Sequence, residues 1–272
     1  MIDVDAFNAF EAAGWEARAA EYDTYWPALT SRLSDALLDA VEAGPDTRVL
    51  DVACGPGHLA ARAAERGAAA VGVDIAEPMV RIARQRFPRA EFGEGDAQAL
   101  LFPDRCFDAV VSNLGLPHFG RPEQAVAEFR RVLTDEGRLA LTTWNLPARA
   151  RLVGVLLDAV QEVGIASPEA VPAGPNFFRF ADDIELESLL AGRGFVDIGI
   201  RTVEFMHSVG SADELWDGLL HGTVRTSAVI RGQSAEVVRQ IRASFDRRVD
   251  GYHTGEKYQL PVSFKLAAAR RR

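Results

Sequence analysis

The sequence contains little cysteine, little lysine and no long apolar run, and each shortage excludes a class of protein. Two of the 272 residues are cysteines, Cys54 and Cys106, which cannot form a disulfide framework. No cysteine or histidine pair has the spacing of metal ligands, so we predict no metal site. The best candidate for a membrane span, residues 152–160, falls short of the roughly 18 apolar residues required and is interrupted by Gly154 and Asp158. We therefore predict no membrane association.

The chain also lacks a basic start and an excess of basic residues. It begins Met1-Ile2-Asp3-Val4-Asp5, which is acidic where a secretory signal is basic and then apolar, so we predict a cytoplasmic protein. Its 39 acidic residues outnumber its 30 basic residues, and the formal charge of -9 makes it a poor general binder of nucleic acid. We predict a small-molecule partner and no nucleic acid, whereas the sequence leaves open whether the chain forms a homo-oligomer.

From Arg48 onward, short apolar runs alternate with helical segments. The predicted strands are Val49–Cys54, Ala70–Asp74, Ala90–Gly93, Asp108–Ser112, Arg138–Trp144, Val196–Phe205 and Tyr258–Ala268, and Gly137 is predicted to form a turn before the fifth. Strands that alternate with helices are typical of a doubly wound α/β sheet with right-handed crossovers. We predict a Rossmann-like, seven-stranded sheet that is mostly parallel, with an antiparallel last strand.

The predicted domain boundary lies at Gly44-Pro45. Residues 1–44 are predicted to form an N-terminal helical cap, in which Trp15 and Tyr22 share one helical face and Pro27 begins a second helix. Residues 45–272 are predicted to form the sheet domain. Its regular alternation is interrupted by helical insertions at about 145–181 and 206–256.

A glycine-rich loop connects the first predicted strand to its helix. Gly55-Pro56-Gly57-His58-Leu59-Ala60 matches the pattern G-x-G-x-x-G/A, in which glycine permits a tight turn and a close approach of ligand to backbone. Asp74 ends the next strand, where a carboxylate can accept both hydroxyls of a ribose. The loop therefore predicts an adenosine-containing ligand, but alone it does not distinguish NAD from S-adenosylmethionine (SAM).

Three acidic residues lie in or just after three successive predicted strands: Asp51, Asp74 and Asp96. Asp51 would repel the pyrophosphate of a dinucleotide, which prefers N–H dipoles without a nearby carboxylate. SAM instead brings an ammonium and a sulfonium, and Asp96 can accept a hydrogen bond from an adenine amino group. Each acid alone is also expected as a loop brace, a turn residue or a helix cap, but the three together favour a cationic adenosine ligand.

Five segments follow one another in the stretch from Arg48 to Trp144: Val49–Gly57, Gly72–Met79, Gly95–Leu100, Phe107–Asn113 and Val132–Leu139. In this order they resemble the five motifs of the class I SAM-dependent methyltransferases. The nearest subgroup is that of ubiquinone and menaquinone biosynthesis, which includes tailoring enzymes of small natural products. The resemblance implies SAM as cofactor and methyl transfer as the reaction. It departs at Ala53, where the family often has glycine.

The resemblance, together with the charge argument for Asp51, implies a set of cofactor-binding residues. These are Asp51, Ala53, Gly55 and Gly57 beside the methionyl part, Asp74 at the ribose, Ile75 and Met79 beside the adenine, Asp96 and Ala97 at the adenine edge, and Asn113 and Leu114 facing the ammonium and methyl groups.

The family closes its site with the N-terminal helices and the segments after the fifth and sixth strands, which implies a covering role for the cap and the insertions. Aromatic side chains there predict a small, apolar or aromatic substrate. The predicted substrate contacts are Tyr22, Tyr25, Trp26, Phe119, Phe177, Phe178 and Phe180. Core packing is the alternative role for each of them.

His118 is the predicted catalytic residue, because it follows Leu114 by four residues, where the family brings side chains to the methyl group. Imidazole titrates near neutral pH, which suits removal of a proton from a phenol or an amine. The alternative is that His118 only forms hydrogen bonds to cofactor or backbone. The sequence does not distinguish oxygen, nitrogen and carbon acceptors.

Two other functions remain open at this stage. An NAD(P)-dependent oxidoreductase is consistent with the glycine pattern, but the chain has no Tyr-x-x-x-Lys pair, since its two lysines are Lys257 and Lys265. The other is a protein that retains the fold and binds SAM without catalysis.

Overall fold

A computed structural model describes residues 2–272, and within this range seven strands form one sheet. The strands are β1 (Arg48–Val52), β2 (Ala69–Asp74), β3 (Glu91–Glu94), β4 (Phe107–Asn113), β5 (Leu133–Trp144), β6 (Phe195–Val209) and β7 (Tyr258–Arg271). Their order in the sheet is β3-β2-β1-β4-β5-β7-β6. β7 runs antiparallel to β5 and β6, whereas all neighbouring strands among β1 to β5 run parallel to each other. This confirms the predicted seven-stranded, mostly parallel sheet.

The helices of the described residues lie before, between and after these strands. They are α1 (Val4–Tyr25), α2 (Pro27–Thr30), α3 (Ser34–Ala40), α4 (His58–Glu65), α5 (Glu77–Arg86), α6 (Pro122–Val132), α7 (Arg151–Val163), α8 (Asp183–Ala191), α9 (Ala212–His221), α10 (Arg225–Arg231) and α11 (Ala235–Asp250). Pro27 begins α2, as its fixed φ and missing N–H predict. None of the helices described is both long and apolar enough to cross a bilayer.

The largest differences from the predicted strands lie at the antiparallel edge. β6 and β7 pair over almost their whole lengths, from Phe195 with Arg271 to Val209 with Tyr258, so both extend beyond the predicted ends. The second insertion therefore begins near residue 210. Gly137 lies within β5 instead of in a turn before it, in a stretch where the register between β4 and β5 shifts.

Alternate residues of the central strands contribute to different apolar clusters, as expected for a sheet covered on both faces. Val49 and Val111 belong to one cluster, while Leu50 and Val110, their neighbours in sequence, belong to the other. All four side chains are fully buried. This double covering explains why the parallel strands appear in the sequence as continuous apolar runs.

The N-terminal cap and both insertions lie near the carboxyl ends of the parallel strands. α1 packs against α5 and α9, and α7 packs against α11. Side chains from α1, α7, α9 and α10 line the same cavity as residues that follow β1, β2 and β4. The chain thus surrounds the edge of the sheet at which ligands of doubly wound folds bind.

Candidate functional site

A cavity of about 530 Å³ lies at the carboxyl ends of the parallel strands. One end is formed by residues at or just beyond the ends of β1, β2, β3 and β4, including Gly55, Asp74 and Leu114. The other end is formed by apolar side chains of the cap and the insertions. Most of the residues predicted to bind a cofactor or a substrate therefore meet in one space.

The two glycines of the loop after β1 have different roles. Gly55 lines the cavity and has a φ of 53°, a region that favours glycine. Gly57, whose φ is 86°, does not line the cavity. A Cβ on Gly57 would lie 2.7 Å from Ala83 and 2.8 Å from Phe92, so this glycine lets α4 pack closely on α5 and β3. The predicted contact of the Gly57 backbone with the cofactor stays a prediction.

Asp74 connects the glycine loop to the cavity. Its Oδ2 accepts a hydrogen bond from the backbone N–H of Gly55 at 2.8 Å, and its Oδ1 accepts one from Ala76 at 3.0 Å. Only 8% of the residue is exposed, and burial raises the pKa of its carboxyl group. Each carboxylate oxygen retains a second lone pair, so Asp74 can hold the loop and still accept a ribose hydroxyl.

Asp51 does not line the main cavity but a pocket of about 30 Å³ beside it, which shares Tyr22, Ala53 and Gly55 with the cavity. Its Oδ2 accepts a hydrogen bond from the N–H of Ala60 at 3.0 Å, whereas Oδ1 is buried and has no partner among the described residues. Burial, together with the charge of Asp74, raises the pKa of Asp51 to about 8. The predicted repulsion of an anion is therefore weakened at neutral pH by protonation, and a bound cation would restore the charge.

The residues predicted beside the adenine line the cavity together. Asp96 forms a turn after β3, in which its Oδ1 accepts hydrogen bonds from the N–H of Gln98 at 2.8 Å and from its side-chain amide at 3.2 Å. Ala97 and Met79 are buried, and Ile75 is 40% exposed. These three side chains form an apolar surface beside a carboxylate, as an adenine ring with an exocyclic amino group requires.

Two residues at this site have a side chain and nevertheless adopt the left-handed region of backbone conformation. Ala53 and Leu114 have φ values of 58° and 63°, and both line the cavity. This conformation costs a residue with a Cβ about 1–2 kcal/mol, and such strain is typical of ligand sites. The positive φ of Ala53 is a physical reason for glycine at this position in related sequences. Asn113 donates to the carbonyl of Thr30 at 3.0 Å and accepts from the hydroxyl of Thr142 at 2.7 Å, so its side chain braces the end of β4.

His118 lies in a 3₁₀ turn, Leu116–His118, and lines the cavity. Its Nδ1 is 2.8 Å from Oε2 of Glu11 on α1. Glu11 also lines the cavity, although only 4% of the residue is exposed. Glu11 was not among the residues predicted for the site. The available signal was the helical spacing of four that leads back from Ala19 through Trp15 to Glu11 on the buried face of α1.

Five of the seven predicted substrate contacts line the cavity: Tyr22, Trp26, Phe119, Phe177 and Phe178. Tyr25 and Phe180 are not among the lining residues, and their contact with the substrate stays a prediction. Tyr25 packs against α9 at Gly218. A Cβ added to Gly218 would lie 3.3 Å from the Cβ of Tyr25. Phe180 is 3% exposed and belongs to the cluster beneath the sheet, because the 3₁₀ turn Arg179–Ala181 directs it into the core.

The far wall of the cavity is largely aliphatic and aromatic. Trp26 stacks on Tyr22 with ring centroids 6.3 Å apart and meets Trp144 edge to face at 6.2 Å. Further apolar lining comes from Val153, Leu156, Leu157, Val160, Leu219, Val229 and Ile230. Arg225 and Asn176 add polar groups to this wall. Such a wall favours a flat or extended apolar molecule.

Comparison with known proteins identifies the family. The profile of a family described as "Methyltransferase domain" matches residues 50–141. The demethylmenaquinone methyltransferase of Renibacterium salmoninarum is 31% identical over 182 residues, which cover 64% of this chain and 77% of that protein. A protein of the same name from Beutenbergia cavernae is 30% identical over 176 residues, 62% of this chain and 73% of its own length. The chain belongs to the class I SAM-dependent methyltransferases.

The similarity of fold extends over most of the methyltransferase. The solved structure of the YcgJ protein from Bacillus subtilis covers 89% of this chain and 98% of its own, with a TM-score of 0.58 and 20% identity. The family assignment supports SAM as cofactor in place of the NAD considered above.

The residues of this methyltransferase fit SAM. The unpartnered Oδ1 of Asp51 is a buried acceptor in the pocket beside Gly55, where an ammonium group could satisfy it. Asp74 and Asp96 retain free lone pairs toward the cavity, at positions suited to a ribose and an adenine. All three of these side chains are carboxylic acids, which suits a cofactor that carries a net positive charge.

Proposed function

We propose that this methyltransferase transfers the methyl group of SAM to a small apolar or aromatic metabolite, such as a secondary metabolite, with oxygen, nitrogen or carbon as the acceptor. The observation that carries the proposal is the continuity of the cavity from Asp74 and Asp96, through His118, to the apolar wall around Trp26 and Trp144. The named substrate of the two relatives, demethylmenaquinone, is an apolar aromatic molecule of this class.

The bound cofactor supplies a methyl group on a sulfonium sulfur. When the methyl group leaves, the sulfur becomes a neutral thioether. The protein's part is to orient the acceptor behind this methyl group and to exclude water, since charge is dispersed and not created in the transfer. We propose that the helices of the cap and the insertions at 145–181 and 210–256 perform this exclusion. Their apolar side chains form the far wall of the cavity.

We further propose that His118 removes the proton of a phenolic or amine acceptor. Its imidazole lines the cavity four residues beyond Leu114, and its Nδ1 is engaged by Glu11, so Nε2 is the nitrogen available to an acceptor. A phenol or an amine bound in the cavity would therefore find Nε2 of His118 as the protein atom that takes its proton.

The proposal is tested by incubating the protein with SAM and a panel of naphthols, hydroquinones, aromatic amines and apolar alkenes. Mass spectrometry should detect a product heavier by one methyl group in place of a hydrogen. The matched variant His118→Ala should bind S-adenosylhomocysteine as tightly as the natural protein but lose turnover. Unchanged turnover would reject His118 as the base. Tight S-adenosylhomocysteine binding without any methylated product would favour the binding protein without catalysis.

A further inference from the structure

Glu11 and His118 form a carboxylate–imidazole pair across two parts of the chain. Glu11 belongs to α1 in the N-terminal cap, and His118 lies 107 residues later, in the 3₁₀ turn that follows β4. Their side chains meet at 2.8 Å between Oε2 and Nδ1. The cap therefore contributes a charged group to the residue proposed as base, in addition to its apolar side chains.

The hydrogen bonds at Oε2 determine which nitrogen of His118 carries the proton. This oxygen also accepts a hydrogen bond from Nε1–H of Trp15 at 3.2 Å. An ionised carboxylate has no proton to donate, so Oε2 accepts from both partners and Nδ1 of His118 is assigned as the donor. In the neutral ring the lone pair is then on Nε2.

Glu11 is buried, His118 is partly buried, and the imidazole ring is held in place. Glu11 is 4% exposed, and its Oε1 has no hydrogen-bond partner among the described residues. The His118 ring meets Trp15 edge to face at 5.0 Å and Phe177 at 5.4 Å. A buried carboxylate is costly to a fold, and an apolar side chain would serve helix packing at this position at lower cost. This cost points to a role for Glu11 in the chemistry.

We propose that Glu11 is a positioning residue, which holds His118 as the Nδ1–H tautomer and stabilises the imidazolium that forms when Nε2 accepts the acceptor's proton. The inference rests on the proposed role of His118 as base. In the step, a bond forms between the acceptor atom and the methyl carbon, the carbon–sulfur bond breaks, and its electron pair remains on sulfur. The acceptor's proton moves to Nε2, and Glu11 balances the new charge.

Glu11 is one of several charged groups around His118. Glu11 faces the ring from α1, and Asp74 acts on it from the end of β2. Asp96 and Arg225 line the same cavity. Since Asp74 is retained in every variant below, its effect is common to all of them.

The first test needs no substrate and reads the tautomer directly. The chain has five histidines, which are labelled with ¹⁵N and observed by NMR. The signals that disappear in the spectrum of His118→Ala belong to His118. At alkaline pH we expect a protonated Nδ1 and an unprotonated Nε2. Glu11→Gln should keep this tautomer, since its amide oxygen can accept from both Trp15 and His118, whereas Glu11→Leu should give a mixture. The matched control is Glu16→Gln, an exposed position of the same helix, which should leave the signals unchanged.

The second test separates positioning from folding. With an acceptor found in the panel, Glu11→Gln should lower kcat by about tenfold, because the imidazolium that forms at His118 loses the stabilising charge of Glu11. The acid limb of the pH–rate profile should move to lower pH. In the His118→Ala background the same substitution should have no further effect, because Glu11 acts through His118.

Two results would overturn the inference. One is a protonated Nε2 in the natural protein, or the same tautomer in Glu11→Leu as in the natural protein. The other is an equal loss from Glu11→Gln with and without His118, which would indicate a structural role. A failure to find any methylated product would count against the proposed function and leave the tautomer result standing, so the two failures are distinguishable.

Discussion

The carboxylate of Asp74 and the backbone N–H of Gly55 are 2.8 Å apart and join the end of β2 to the glycine loop that follows β1. One side chain therefore fixes the loop and faces the cavity at the same time. A change at Asp74 should affect loop conformation and cofactor affinity together, since both depend on the same two oxygens.

Asp74→Asn is expected to weaken S-adenosylhomocysteine binding by roughly tenfold to hundredfold, the loss typical of hydrogen bonds to a charged group. The amide nitrogen cannot accept from Gly55 or Ala76, whichever way the side chain is oriented. Calorimetric titration measures the affinity. Glu94→Gln, an exposed change at the end of β3, is the control and should bind normally. Equal binding by both variants would contradict the assignment of Asp74 to the ribose.

Cofactor affinity should rise with pH across neutrality. Burial raises the pKa of Asp51 to about 8, so below this pH the free protein carries a largely protonated carboxyl group there. A bound ammonium favours the carboxylate, and the proton must leave on binding. Affinity should therefore fall by up to about tenfold for each pH unit below the pKa. Calorimetry at several pH values, in two buffers of different ionisation enthalpy, measures the affinity and the released proton.

Asp51→Asn provides the matched comparison for this pH effect. The cofactor's own amino group titrates equally in both proteins, so the difference between them isolates Asp51. The variant should release fewer protons and show a flatter pH dependence. A pH dependence identical to that of the natural protein would show that Asp51 does not titrate with binding.

Ala53 should tolerate glycine but not valine. Its φ of 58° lies in the left-handed region, which glycine adopts freely and a β-branched residue avoids. Ala53→Gly should change the free energy of unfolding by less than about 1 kcal/mol, because relief of strain offsets the added chain entropy. Ala53→Val should lower it by about 2–4 kcal/mol. Urea denaturation measures both, with Ala69→Val, at an exposed strand position, as a control expected to stay within about 0.5 kcal/mol.

Phe177 and Phe180 should differ in their contribution to stability although they lie only three positions apart in the sequence. Phe180 is 3% exposed in the core, so Phe180→Ala should lower the free energy of unfolding by about 3–5 kcal/mol. Phe177 lines the cavity and is only partly buried, so Phe177→Ala should cost about 1 kcal/mol. Urea denaturation of both variants provides the comparison. Equal losses would mean that Phe177 is also a core residue.

Much of the fold could be predicted from the sequence because its determinants are local. Apolar runs of strand length, each followed by a helical segment, define parallel strands, and the glycine loop after β1 marks the ligand edge. The ends of β6 and β7 were less predictable, since they depend on pairing between segments that are distant along the chain. Gly137 illustrates the same limit, because the shift in register between β4 and β5 is a property of the pair.

The place of the candidate site could be predicted where a residue's position on the sheet decides which residues lie near it. Asp74 and Asp96 lie at the ends of strands, and strand order brings them to one edge. Glu11 could not be inferred in this way, since nothing near it in sequence indicates a partner 107 residues away. The aromatic residues show the same difficulty, because Phe177 and Phe180 have the same chemistry and only the turn between them separates cavity from core.

The residues facing the predicted cofactor lie within one short stretch, from Asp51 to Leu114, while the apolar wall comes mainly from the cap and from segments after β5 and β6. Substitutions in α7, α9 or α10 can therefore accumulate without altering the carboxylates predicted to hold the cofactor. Over evolutionary time this separation lets a lineage acquire new acceptors while its cofactor site is inherited unchanged. In the laboratory, exchange of these helices between relatives is the corresponding route to altered specificity.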